Sequence, residues 1–214
     1  MKQYFSITQV HSSFIFHLNS STMEKKLFEF IEKHMLLSQI EKDAILALGV
    51  FRSVKKGTIL LKEGQYSSEY YFVLEGCIRT FYIIDGEEKT TAFYTELEPF
   101  TPMCSLSKQP SEHFIDCVED CILIVSNPET DKQMFAEFPR FESLCRVLSE
   151  QLLVKTRASL DDFKTNSPEQ RYLNLVEQRP DLIQRVPQHQ IASFLGITPQ
   201  SLSRMRKRLA TANS

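Results

Sequence analysis

The chain has 214 residues, 42% hydrophobic and 24% charged, with a net charge of −2. This is ordinary globular composition, and no uninterrupted apolar run approaches the roughly 18–20 residues that span a bilayer, which argues against disorder and against a membrane partner. The mean hides an asymmetry: from Lys164 to Ser214 eight Lys and Arg stand against three acids, so the tail carries +5 and the remainder −7. A basic tail on an acidic body fits a polyanionic partner for the tail.

Residues 1–22 hold a short apolar patch at Phe14, Ile15 and Phe16, broken by His11, Ser12, Ser13 and His17. A secretory signal needs a longer apolar core, so the expected location is the cytoplasm. A more regular pattern starts at Met23, which leaves 1–22 as a loose extension or an upstream start with no chemistry to name. Met23–Met35 and Ile40–Leu48 read as two short helices from Leu27, Phe30, Ile31, Ile45 and Leu48.

From Val50 to Ser126 the texture changes to short runs of Val, Ile, Tyr, Phe and Thr between turn signals. Thr58–Leu61, Tyr70–Leu74, Ile78–Ile84, Thr90–Tyr94, His113–Val118 and Ile122–Ser126 are the candidate strands, with a tight hairpin at Asp85-Gly86. Pro99–Pro110 reads as a turn region. Many short strands at close spacing predict a jelly-roll β-barrel. The five cysteines (Cys77, Cys104, Cys117, Cys121, Cys145) are odd in number and scattered, which fits free thiols in a reducing compartment. Cys117 and Cys121 lie four apart with a turn between them, need not converge, and read as buried thiols; no metal site is expected.

Asn127-Pro128 opens a helix, with Asn127 as N-cap. A second, long helix is expected over 139–163, about 37 Å at 1.5 Å per residue. Phe141, Leu144, Leu148, Leu152, Leu160 and Phe163 form its apolar stripe, and Thr156 fills the gap. The stripe serves either the chain's own barrel or a dimer seam, and the seam is the sharper reading. After Asn166-Ser167-Pro168 three shorter helices follow: Glu169–Glu177, Gln188–Leu195 and Pro199–Leu209. There are no repeats and no low-complexity segments.

The stretch from Pro187 to Leu209 has the mechanics of a helix-turn-helix. Ala192 is small where a second helix must cross, Gly196 permits the left-handed turn, Ile197 plugs the gap, and Thr198-Pro199 caps and starts the second helix. Leu202, Met205 and Leu209 face inward, leaving Gln200, Ser201, Ser203, Arg204 and Lys207 outward, as a major-groove reader requires. Arg204 can pair bidentately with guanine and Gln200 with adenine; Ser201 and Ser203 discriminate less. Arg206, Lys207 and Arg208 suit phosphates.

In this order the elements resemble the bacterial Crp/Fnr family of transcription regulators over about residues 23–210. Lys56–Gly64 followed by Tyr70–Gly76 resembles the family's strand-turn-strand signature, and Val186–Leu209 its DNA-reading unit. The resemblance implies an α+β fold: a sensor roll over 23–138, a dimerisation helix over 139–163 and a helix-turn-helix domain over 164–214. It implies a homodimer on double-stranded DNA, with RNA polymerase as a further partner and a small-molecule effector that the sequence does not identify. The family's nucleotide cassette is altered. Pro102 and Met103 stand where Gly-Glu is expected, and Ser111 and Glu112 near the position of the phosphate-binding Arg. A phosphate beside Glu112 would be repelled unless Lys108 or His113 compensated, so no cofactor and no tight cyclic-AMP binding is expected. The family's Arg-Glu in the recognition helix is replaced by Pro199-Gln200, and only Arg204 matches.

Two other classes compete with this reading. A cupin-like enzyme needs several His and carboxylates converging in the barrel, and of five histidines only His113 lies there; no His-x-His pair, Gly-x-Ser-x-Gly elbow or Gly-rich phosphate loop occurs. The chain is therefore not expected to be an enzyme. A sensor roll whose tail no longer binds DNA is the remaining alternative.

Overall fold

The structure, a computed structural model, describes residues 22–48 and 51–212 and divides into two compact units, Met1–Val50 and Phe51–Ser214. In the first, helix α1 spans residues 22–32 and helix α2 Gln39–Ala47, where Ser38 and Glu41 form a reciprocal capping box. The expected 1–22 extension lies, apart from Thr22, outside the described residues.

The second unit opens with eight strands: β1 (Phe51–Val54), β2 (Ile59–Leu61), β3 (Tyr70–Glu75), β4 (Ile78–Ile84), β5 (Glu87–Tyr94), β6 (Glu98–Phe100), β7 (Phe114–Cys117) and β8 (Cys121–Ser126). They form two antiparallel four-stranded sheets, ordered β1-β8-β3-β6 and β2-β7-β4-β5. The jelly roll is thus as expected. Its interior is filled by apolar side chains, among them Leu61, Tyr71, Val73, Ile78, Phe100, Ile115 and Leu123. Asp85 and Gly86 both take positive φ, 54° and 79°, and the turn sets Ile84 opposite Glu87. Two mirror-handed turn residues match the twist of the flanking strands, which is why this dipeptide was readable.

Two strands were not anticipated. Pro99 made β6 look like a turn, but β6 lies at the edge of its sheet, where a residue without an N–H is tolerated. A short helix, α3 (Met103–Ser107), occupies the altered cassette. Helix α4 (Pro128–Glu137) begins as expected, with the Asn127 side chain accepting from the N–H groups of Glu129 and Thr130.

Helix α5 spans Arg140–Thr165. Its sequence stripe does not serve one face. Of its members Phe141 and Leu144 are buried within the chain, whereas Leu160 and Phe163 are exposed by 52% and 50%; Leu153 and Val154, outside the stripe, are exposed by 69% and 70%. Leu148 and Leu152 are half-buried between these two roles. An apolar spacing of three, four and eight residues drifts around a helix of 3.6 residues per turn, so the start of the stripe is covered, Phe141 by Phe138 at the end of α4, and its end is not.

Four helices follow rather than three: α6 (Pro168–Gln178), α7 (Pro180–Arg185), α8 (Gln188–Phe194) and α9 (Pro199–Ala212). Helix α7 is a single extra turn that Pro180 starts. Residues of the tail and of the roll share one buried cluster: Cys77, Phe93 and Val118 with Leu175, Leu182, Val186, Ile191, Leu195, Leu202 and Met205.

Candidate nucleic-acid interface

Helices α8 and α9 and the turn between them form the expected helix-turn-helix. Ala192 is fully buried and Ile191 and Leu195 nearly so. The Ile197 N–H donates to the Ala192 carbonyl at 3.0 Å, which closes the turn over α8. Gly196 sits at φ +70°, and a Cβ there would lie 3.2 Å from the Phe163 ring at the end of α5. The backbone therefore selects glycine, and any side chain would also press the Phe163 ring aside by a few tenths of an ångström. Thr198 caps α9, its hydroxyl accepting from the Ser201 N–H at 3.2 Å.

The inward face of α9 carries Leu202 and Met205, 1% and 8% exposed, with Leu209 packed partly against the same cluster. Gln200, Ser203, Arg204, Arg206, Lys207 and Arg208 are exposed, and Pro199, Gln200, Ser203 and Arg204 line one shallow surface concavity. Two of the seven expected contact residues have other engagements. Ser201 is half-buried and its hydroxyl bonds to that of Thr198 at 2.9 Å, so it belongs to the cap. Arg208 is ion-paired with Glu169 of α6.

The positive tail is less free than its count suggests. Arg171 donates to the carbonyls of Phe163, Asn166 and Leu195 at 3.1, 3.0 and 2.7 Å, and its guanidinium lies 4.4 Å from the Phe163 ring centre. It joins α5, α6 and the turn of the helix-turn-helix. Arg179 and Arg185 are held by roll groups. Arg204, Arg206 and Lys207 are the exposed cations of α9 without an acidic partner among the described residues. Sequence reading missed these internal roles because the partners lie up to 89 positions away.

In the roll, the altered cassette presents little to an anion. The Pro102 side chain is fully buried, Met103 is 64% exposed, and Ser111 is buried. The Ser111 hydroxyl donates to the His113 carbonyl at 2.8 Å, and Lys108 points from an exposed left-handed turn. His113 is 6% exposed, and burial holds its pKa below the usual histidine range, so it favours the neutral form. Arg79, the buried cation of the roll, is 3% exposed in its side chain and already paired with Asp116 and Glu88, each at 2.7 Å. Cys77, Cys104, Cys117 and Cys121 are buried free thiols. The Cys121 thiol donates to the carbonyls of Cys77 and Glu119 at 3.5 and 3.3 Å. Among the described residues no group of three or more His, Cys, Asp or Glu is arranged to hold a metal ion, and no helix is long and apolar enough to cross a membrane.

Residues 51–138 match the family model of the cyclic nucleotide-binding domain. No curated protein matches the sequence. Among solved structures, the chain resembles the c-di-GMP-responsive global regulator CLP of Xanthomonas campestris, at 18% identity and a TM-score of 0.64, over 82% of this chain and 93% of that one. It resembles a Crp/Fnr-family transcriptional regulator of Eubacterium rectale at 18% identity and a TM-score of 0.61, over 82% and 85%. It also resembles a CooA variant of Carboxydothermus hydrogenoformans at 19% identity and a TM-score of 0.60, over 78% and 79%. The chain therefore shares the fold of these structures: a roll that matches the cyclic nucleotide-binding domain model, then a long helix and a helix-turn-helix.

Proposed function

We propose that the protein is a cytoplasmic, sequence-specific DNA-binding transcription regulator that acts as a homodimer. The observation that carries this reading is helix α9. One face is sealed into the core by Leu202 and Met205, and the other offers Gln200, Ser203, Arg204 and Lys207 with no apolar side chain among them. Such a helix can enter the major groove, where Arg204 pairs with the O6 and N7 of guanine and Gln200 with the N6 and N7 of adenine. Arg206 and Lys207 supply phosphate contacts, which add salt-dependent affinity without sequence information. Ser201 and Arg208 play smaller parts, since each is engaged within the chain.

The second copy docks along the outer face of α5, within 139–163. Leu153 and Leu160, seven residues apart, fall on one helix face and are exposed within the chain. Pairing along this face would set two recognition helices about 34 Å apart, one turn of DNA, so the operator is roughly palindromic. RNA polymerase is a further partner on this reading, and the tail domain begins near residue 164.

Cyclic AMP is not the effector. Its phosphate would find Glu112 exposed at the cassette and the buried Arg79 committed to two carboxylates. Calorimetric titration of the purified protein with cyclic AMP is expected to give no heat of binding; micromolar affinity would reverse this assignment. The base-reading roles separate in binding assays on operator variants. Arg204→Ala is expected to relax preference at one base pair per half-site, a loss of about 1–3 kcal/mol of discrimination. Lys207→Ala should instead weaken all sequences evenly and reduce the salt slope by about one. The opposite pattern would exchange the two assignments, and no binding to any duplex would end the DNA reading.

A further inference from the structure

We infer that Arg185 is a positioning residue for DNA binding: it latches the tail to the roll and so fixes the pose in which α9 is offered. The inference rests on the DNA reading above and adds what holds the recognition helix in place.

Arg185 ends α7, just before α8 begins. Its guanidinium donates to both oxygens of Glu96, at 2.9 and 2.7 Å, and through Nε to Glu119 at 3.0 Å. The two acids come from different turns of the roll, Glu96 between β5 and β6 and Glu119 between β7 and β8. A third turn joins them, because Glu96 also accepts from the Gly76 N–H, between β3 and β4, at 3.0 Å. That turn admits only glycine: φ is +103°, and a Cβ would sit 2.6 Å from the Asp120 carbonyl oxygen and 2.7 Å from Cys121 Sγ. One end of the roll is thus built as a cradle of two carboxylates with one arginine between them. Beside it Arg179 donates to the Thr95 hydroxyl at 2.7 Å.

A second fastening lies eight residues on. The Ser193 hydroxyl accepts from the Thr90 N–H at 2.9 Å and donates to the Glu88 carbonyl at 2.8 Å, so the end of α8 is bonded to strand β5. Phe194 packs edge-on against Phe93 with ring centres 5.4 Å apart. Between the two fastenings Leu182, Val186 and Ile191 share a buried cluster with Cys77, Phe93 and Val118 of the roll. Helix α9 is tied to α8 through the closed turn and that same cluster, so its direction relative to the roll follows from the latch. None of the fastenings uses Gln200, Ser203, Arg204 or Lys207, and the latched pose leaves the DNA-facing side open.

Removing Arg185 does more than delete contacts. It leaves Glu96 and Glu119 of the roll facing Asp181 of α7, whose carboxylate lies 3.7 Å from the Arg185 guanidinium, and like charges across the joint push the roll and tail apart. The freed tail then samples many poses, and apparent affinity falls by the fraction that remains competent.

The test is Arg185→Ala in the full-length protein, read by operator affinity, by its salt slope and by amide exchange at Thr90. Operator affinity should fall about tenfold with the salt slope unchanged, and the Thr90 amide should exchange faster in the absence of DNA. Ser193→Ala should reproduce the faster exchange and a smaller affinity loss, and Arg185→Lys should restore part of both. If the latch variant lost about one unit of salt slope, Arg185 would be a phosphate contact and the inference would fail. It would fail equally if Thr90 exchange were unchanged. Should the wild-type protein bind no DNA, the functional reading falls, while the Thr90 measurement still decides on the latch.

Discussion

Leu153→Glu combined with Leu160→Glu is expected to leave the fold intact, make the protein monomeric and lower operator affinity by about 100-fold or more. Both side chains are mostly exposed within the chain, so a charge at either position meets water in the monomer and costs little. Along a paired α5 each charge would lie against apolar surface and against its own symmetry mate, which desolvates like charges together. The neighbouring positions on this face are small and self-satisfied. Ser149 and Thr156 donate to the carbonyls of Cys145 and Leu152, each at 2.8 Å, so their hydroxyls need no partner from a second helix. A seam of Ser149, Leu153, Thr156 and Leu160 steps by four, three and four, the spacing two helices need for side-by-side packing. Losing the second half-site removes the gain from linked binding, which is why the effect on DNA exceeds that of any single base contact. Sedimentation and circular dichroism check the first two expectations and a mobility shift the third. A double variant that still sedimented as a dimer would move the interface elsewhere.

The seam also shows where sequence reading stops. Leu152 was placed in the expected stripe and Leu153 was not, yet Leu152 is half-buried and Leu153 faces outward. One residue is 100° of helix, and the apolar pattern of α5 contains two overlapping stripes, one turned inward and one outward. Periodicity cannot divide them until the rest of the chain is in place. The turns tell the opposite story. Asp85-Gly86, Asn127-Pro128 and Thr198-Pro199 were legible because their chemistry is local: a positive φ, a side-chain cap, a proline at a helix start. Strand β6 was missed for a non-local reason, since only its place at a sheet edge makes Pro99 acceptable. The exposure of the polar face of α9 was legible, but Arg171, Arg179 and Arg185 read as cations for a polyanion. Their carbonyl, hydroxyl and carboxylate partners on α5 and the roll are visible only in three dimensions.

Leu202→Ala is expected to cost about 2–5 kcal/mol and to loosen the roll as well as the tail. The side chain is 1% exposed, so the substitution leaves a cavity, and packing density means that the surroundings close over it only in part. Its cluster is not confined to the helix-turn-helix, for it runs through Leu182 and Val186 to Val118 and Cys77. Two amides report on the two ends of that cluster. The Leu195 N–H donates to the Ile191 carbonyl at 3.0 Å in the tail, and the Val118 N–H donates to the Cys77 carbonyl at 2.9 Å in the roll. If the two domains unfold as one cooperative unit, Leu202→Ala accelerates exchange at both. A roll and tail that merely touch would lose protection at Leu195 alone, with Val118 unchanged. Leu123→Ala provides the contrast, because Leu123 belongs to the separate cluster inside the roll; it should cost a similar amount in a denaturant titration while acting first on the roll. A shared core gives the recognition helix a stability it could not draw from α8 and α9 alone, since α8 is only seven residues long and short helices depend on tertiary packing. Operator affinity of Leu202→Ala should therefore decline together with protection at Val118, although Leu202 faces away from the DNA side of α9.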